Sequence, residues 1–262
     1  MKYLAIIIFL LFPFRVEPKD SSIIVLVYHR FNNDKYPETS VSSEKFNQQI
    51  EYLVENNIPI LQATDLVSYF NGEIELPKKS VFLTIDDAYK SFYEHAFPIV
   101  KKFNIPFSIF LSTDYVSNNK KSDHMSWEML KDITRNNGLV LNHSKSHKSL
   151  IELNYDEVKK DIIENQLKIE QNLGSQPKIF SYPYGESNLK IESIVKSDSS
   201  VKAIIVVHFA GKPVDMKSIN FIAEKYNLFV LEDCAHALGS VYSKQSCGSF
   251  GSCGCFSFYP TK

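Results

Sequence analysis

Val81-Phe-Leu-Thr-Ile-Asp-Asp-Ala-Tyr89 runs from a short apolar stretch straight into two adjacent carboxylates. A brief, nearly continuous apolar run of this length reads as a strand buried on both faces. The strand itself is expected at 81–85, and further strands are expected at 23–28, 107–111, 139–141 and 178–182. Amphipathic stretches between them, at 43–56, 63–70, 90–103, 127–136 and 155–173, are expected as helices. Ser43 with Glu44 reads as the first N-terminal cap, and Gly174 as the stop of the last helix. Strands alternating with helices imply an α/β fold, a parallel sheet covered by helices, either barrel or open and doubly wound. Functional groups in such folds collect at the C-terminal ends of the strands.

The polar groups beyond these strands obey that rule. Asp86 and Asp87 close the 81–85 run, His143-Ser-Lys-Ser-His147 follows the 139–141 run, and Ser181-Tyr-Pro-Tyr-Gly185 ends the 178–182 run. Hydrolysis of an unactivated amide needs an activated water, a Lewis acid on the carbonyl and a proton for the leaving amine. Adjacent carboxylates on extended backbone point different ways, so one can bind a metal ion while the other stands beside the water. His143 and His147 lie four apart, and on a helical turn both imidazoles would chelate one ion. One aspartate and two histidines leave positions open for water and substrate.

From about residue 23 to 186 the chain resembles the polysaccharide deacetylase family, the NodB-homology or carbohydrate esterase 4 group. The resemblance rests on Val27-Tyr-His-Arg-Phe31, Leu83-Thr-Ile-Asp-Asp-Ala-Tyr89, Met125-Ser-Trp-Glu-Met-Leu130, Asn142-His-Ser-Lys-Ser-His147 and Phe180-Ser-Tyr-Pro-Tyr-Gly185. It implies a NodB-type (β/α) barrel, here incomplete. It implies Asp86 as catalytic base, with Asp87, His143 and His147 holding a divalent, zinc-like ion. The backbone N–H of Tyr184 would help stabilise the tetrahedral oxyanion. Ser181 stands where many members of the family carry arginine. The family's general acid, a histidine on a late strand, lies past the end of the resemblance, and His208 is a weak substitute. His29 either faces the site or is a satisfied structural histidine, while His95 and His124 read as surface residues.

From about residue 191 to 262 the chain resembles a different family, the DegT/DnrJ/EryC1/StrS sugar aminotransferases. The residues that carry it are 202–216, Leu231-Glu-Asp-Cys-Ala-His-Ala-Leu-Gly-Ser240 and Gly248 to Lys262. This implies a partial type I pyridoxal-phosphate-transferase-like α/β fragment with pyridoxal 5'-phosphate as cofactor. Asp233 would pair with the pyridine nitrogen, His236 would contact the ring, Ser257 the phosphate, and Lys262 would form the Schiff base. Strands are expected at 201–207, 228–231 and 255–258, and a helix at 214–226.

The two halves carry the marks of different compartments. Lys2 followed by the apolar stretch 3–14 fits a secretory signal or an N-terminal anchor over 1–20 and is short for a bilayer span. All four cysteines (Cys234, Cys247, Cys253 and Cys255) lie in the last thirty residues, a usage typical of a reducing compartment. A net charge of −1 argues against nucleic acid as a partner. The expected organisation is a signal or anchor over 1–20, a deacetylase domain over 21–188 and an aminotransferase fragment over 189–262. The leading expectation is a secreted, periplasmic or cell-surface N-deacetylase of an acetylated amino-sugar polymer, touching membrane only through an uncleaved signal segment. Two alternatives stand beside it: a sugar aminotransferase acting on nucleotide-linked keto-sugars, and a carbohydrate-binding remnant without turnover.

Overall fold

The computed structural model describes residues 22–77, 79–119, 121–175, 179–185, 191, 203–208, 211–226, 228–234 and 237–255. The expected signal segment, the expected junction near 186–189, and His236, Ser257 and Lys262 lie outside the described residues.

The described chain opens with β1 (Ser22–Tyr28), the short pair β2 (Arg30–Phe31) and β3 (Ser40–Val41), and helix α1 (Ser43–Glu55). β4 (Ile60–Leu61) and α2 (Ala63–Phe70) lead into β5 (Lys79–Asp86), and a π-turn at Phe92–Ala96 runs into α3 (Phe97–Lys102). Then come β6 (Phe107–Leu111), α4 (Trp127–Thr134), β7 (Gly138–Asn142) and α5 (Tyr155–Leu173). Beyond Gly185 lie β8 (Ala203–Val207), α6 (Met216–Tyr226), β9 (Phe229–Asp233), the hairpin β10 (Val241–Tyr242) and β11 (Gln245–Ser246), and β12 (Cys253–Cys255).

The strands pair in parallel in the order β1-β5-β6-β7, with β4 also on β5. β5 is buried along almost its whole length, as an apolar run covered on both faces requires. One face points inward. Ile23, Val25, Phe82, Phe110, Leu141 and Ile179 meet there in a single apolar layer. The other face lies under the helices. Val81, Leu83, Ile85, Ile109 and Val140 pack there with Phe46, Ile50 and Leu53 of α1 and with Leu130 and Ile133 of α4. Phe46, Ile50 and Leu53 recur at helical spacing, so one side of α1 is apolar and the other solvated.

Several local expectations change. The 178–182 strand reduces to one parallel bridge, Phe180 to Asn142, with the Ser181 N–H donating to the Asn142 carbonyl. Pro183 has no N–H to extend a ladder and biases the residue before it. The cap of α1 is Ser42, whose hydroxyl accepts from the Lys45 N–H, not Ser43. The 90–103 helix is broken by the π-turn, because Pro98 lacks the amide hydrogen that a regular turn would use. Gly174 ends α5 in the left-handed region, as expected.

After Gly185 a separate parallel sheet forms, ordered β12-β9-β8 and covered by α6. Residues 201–202 and 256–258 of its expected strands fall outside the described residues. Both parts are α/β, and the strands up to Phe180 leave the barrel open. Among the described residues no helix is long and apolar enough to cross a membrane.

Candidate active site

Asp86 is the last residue of β5, and Asp87 leaves the strand in the left-handed region at φ 65°. That turn separates the two carboxylates. His143 follows β7 directly and shares the inward face with Leu141, two residues earlier. The loop carrying His147 is not the helical turn that a four-residue spacing suggested. Ser144 (φ 60°) and His147 (φ 53°) are left-handed, and side chains hold the loop in that shape. Asn142 Oδ1 accepts from the Ser144 N–H, and Asp161 Oδ2 of α5 accepts from the N–H groups of Lys145 and Ser146.

This loop is anchored by a residue that the sequence reading passed over. Asn165 sits on the buried stripe of α5 with Val158, Ile162 and Ile169, where an apolar residue would be routine. Its amide donates to the Leu111 carbonyl (2.7 Å) and to Asn142 Oδ1 (2.8 Å), and its carbonyl accepts from the Thr113 N–H (2.9 Å). One buried amide therefore ties α5 to the ends of β6 and β7. A polar residue in an apolar helical stripe was the signal that would have found it.

Asp87, His143 and His147 converge. One ligand atom from each lies within 4.8 Å of the others. Asp87 Oδ1 is 3.0 Å from His147 Nε2 and 3.8 Å from His143 Nε2. That oxygen is buried and meets no hydrogen-bond geometry, which suits a cation between the three groups. His143 uses Nδ1 on the Ser181 carbonyl at 2.9 Å, so its Nε2 lone pair is left for the ion. Burial pushes the His143 imidazole down to about 4 against the pull of Asp87, so it is neutral near pH 7, as a metal ligand must be. Burial raises the Asp87 carboxyl, but His147, His143 and His29 outweigh it and hold it well below the carboxylate range. The donor set fits a divalent ion of the zinc type, with two imidazoles and one carboxylate.

His29 Nε2 stands 4.0 Å from Asp86 Oδ2, so it does face the site. Tyr184 is exposed and left-handed at φ 58°, with its ring 4.9 Å from that of His147. His95 is exposed, as expected. His124 is not a surface residue. Its ring is stacked between Tyr115 (4.8 Å, 13°) and Tyr89 (4.7 Å, 31°), and Arg30 lies 3.7 Å over the Tyr89 ring. Burial holds the His124 imidazole below its ordinary pKa. His124 immediately precedes the Met125-Ser-Trp127 motif, and Arg30 lies inside Val27-Tyr-His-Arg-Phe31, so both were within reach of the motif reading. Asp87, Ala88, Ser144, His147 and Tyr184 are all non-glycine residues with positive φ around this site. Each such residue costs on the order of 1 kcal/mol and persists where packing and hydrogen bonds over-determine it.

His208 is removed as a proton donor. It is fully buried, donates from Nε2 to Glu232 (3.0 Å) and accepts at Nδ1 from the Val214 N–H. Val206 belongs to the helix-covered layer, and His208, two residues on, keeps that side of the strand. Glu232 also accepts from the N–H groups of Gly248, Phe250 and Gly251. Burial raises its pKa, but these bonds with His208 prevail and lower it. Cys234 lies near this pair, yet both ring nitrogens of His208 are already engaged. Asp233 ends β9 opposite Val207 of β8, and the other expected cofactor residues, His236, Ser257 and Lys262, are outside the described residues.

Comparisons with known proteins divide along the same line. Residues 73–199 match the polysaccharide deacetylase family model, and residues 184–262 match that of the DegT/DnrJ/EryC1/StrS aminotransferase family. A poly-beta-1,6-N-acetyl-D-glucosamine N-deacetylase of Staphylococcus aureus is 29% identical over 67% of this chain and 69% of its own length. The solved structure of IcaB from Ammonifex degensii superposes with a TM-score of 0.63 at 27% identity, covering 71% of this chain and 84% of that one. The last part is 53% identical to a dTDP-3-amino-3,6-dideoxy-alpha-D-galactopyranose transaminase of Aneurinibacillus thermoaerophilus, across 29% of this chain but only 20% of the transaminase. The chain is thus similar to the polysaccharide deacetylases, hydrolases of non-peptide carbon–nitrogen bonds, over most of its length, and to the DegT/DnrJ/EryC1/StrS family over its last part.

Proposed function

We propose that this chain removes N-acetyl groups from a β-1,6-linked poly-N-acetylglucosamine, with a divalent cation held by Asp87, His143 and His147. The observation that carries the reading is the convergence of these three ligands around a buried Asp87 oxygen without a hydrogen bond. The likeness to the S. aureus deacetylase supports the choice of polymer. A cation held there supplies Lewis acidity to the amide carbonyl and lowers the pKa of water.

The remaining work falls to the chain. Asp86 takes the proton from the attacking water, with His29 beside it to hold the carboxylate in place, and returns that proton to the departing amine nitrogen as the C–N bond breaks. The Tyr184 N–H donates to the oxyanion as the carbonyl carbon becomes tetrahedral. Exposed Tyr115 and Tyr184 flank His147 and offer ring faces to the sugar. We put the junction between the two parts at 188/189, and the overlap of the two family matches at 184–199 supports that reading. The apolar stretch 3–14 behind Lys2 supports export to the surface where such polymers lie. Of the four residues expected for the aminotransferase cofactor, Asp233 lies among the described ones, at the end of β9.

The test is metal content and acetate release on the full chain with poly-β-1,6-N-acetylglucosamine. Asp87→Ala should lose both. Asp86→Asn should keep the metal and lose acetate release by about a thousandfold or more. Metal-replete protein that releases no acetate from this polymer, but does from chitin oligomers, overturns the choice of substrate. A chain that binds no divalent metal overturns the site.

A further inference from the structure

We infer that the aminotransferase-like segment serves in this chain as the closing wall of the deacetylase barrel. Among the described residues the deacetylase strands end at the Phe180 bridge on one side and at β1 on the other, which leaves two edges and an apolar interior to be covered. The segment meets both edges. β12 runs alongside β1, and β8 runs alongside Pro183–Gly185. The approach at the second edge is so close that a Cβ on Gly185 would lie 2.0 Å from Val207 Cβ.

The apolar layers are continuous across the join. Leu231 of β9 belongs to the same inward cluster as Ile23, Val25, Phe82 and Phe110. On the outside, Met216 and Ile219 of α6 share one cluster with Val158 and Ile162 of α5 and with Phe180. The sheet thus has one face toward the barrel interior and the other under α6, the pattern of a wall strand. Val207 ends β8 beside Gly185, which places the C-terminal ends of β8 and β9, and Asp233 with them, at the end of the barrel that holds the metal triad.

A sequence from another family can do this for physical reasons. Both parents are built from parallel strand–helix–strand units, whose crossovers are right-handed almost without exception. Ala203-Ile-Ile-Val-Val207 has the unbroken apolar composition of a strand buried on both faces. The shape and the burial pattern needed at the gap are therefore generic, although the chemistry of the donor is not. The buried His208–Glu232 pair, satisfied within the segment, holds β8, β9 and the Gly248–Gly251 loop together.

Two probes already present in the full chain test this. Trp127, the sole tryptophan, lies on α4 in the deacetylase part, and all four cysteines lie at or after residue 234, with Cys234 and Cys247 buried. A closing wall makes tryptophan fluorescence and thiol labelling of Cys234 and Cys247 change at one midpoint on heating or in urea. Leu231→Ala should lower both midpoints together by about 5–10 °C. Phe221→Ser, on the exposed side of α6, should move neither. Thiols that label fully while Trp127 keeps its native emission overturn the inference, as does a Leu231→Ala shift confined to the thiols. If Leu231→Ala does not accumulate, Val206→Ala gives the same comparison, and the coincidence of midpoints in the unaltered chain decides by itself.

Discussion

His143 donates its Nδ1 hydrogen to the Ser181 carbonyl at 2.9 Å, and this bond decides which ring nitrogen faces Asp87. A peptide bond with no side-chain chemistry of its own thereby fixes the tautomer of a proposed ligand. It also ties the loop after β7, which carries the proposed metal ligands, to the segment that leads to Tyr184, the proposed oxyanion donor.

Acid should unfold the metal-free protein early. His143 stays neutral in the fold down to about pH 4, while in the unfolded chain it takes a proton near pH 6.5. Asp87 works in the same direction, because its folded pKa is depressed and its stabilising share is lost as pH falls below the ordinary carboxylate value. Melting temperature is expected to be flat above pH 7 and to fall steadily from pH 6.5 to 4. A profile that stays level down to pH 4.5 would contradict the burial of His143.

Asn165→Leu keeps the branched shape of the side chain in the α5 stripe but strips three hydrogen bonds from the ends of β6 and β7. Urea unfolding should show a loss of roughly 2–4 kcal/mol. Metal affinity should fall too, because Asn142 loses the partner that steadies its hold on Ser144. Unchanged stability would remove Asn165 as an anchor.

His29→Ala should separate positioning from ligation. Acetate release is expected to drop about tenfold to a hundredfold, with metal content intact, since His29 lies against Asp86 and is not one of the three converging groups. Loss of metal in this variant would assign His29 to the ligand set instead.

Gly185→Ala introduces a Cβ into Val207 at a φ of +66°, so strain and overlap add. A loss of roughly 2–4 kcal/mol is expected by calorimetry. Val207→Ala in the same chain should recover part of it by making room. If the second change recovers nothing, the two residues are not in contact.

The motif residues were legible because their chemistry is local. Asp86, Asp87, His143 and His147 follow short apolar runs, and strand ends are where an α/β fold presents functional groups. What misled the reading was also local. A four-residue histidine spacing suggested a helical turn, whereas hydrogen bonds from Asn142 and Asp161 impose left-handed backbone there. His124 looked like a surface residue because nothing in its neighbours along the chain announces Tyr89, thirty-five residues away, as its stacking partner.

By itself the sequence determined the α/β class, the order of its elements, the two family resemblances and the side chains, Asp87, His143 and His147, that converge. These follow from periodicity and from residue types at fixed spacing, which need no knowledge of distant contacts. Tertiary structure alone decided that Asn165 anchors the site, that His208 is sealed against Glu232, and that Leu231 joins the interior of a barrel begun more than two hundred residues earlier at Ile23. Burial and packing between segments remote in the chain are properties of the assembled layers, and a strand written for one enzyme carries no mark of the wall it will fill in another.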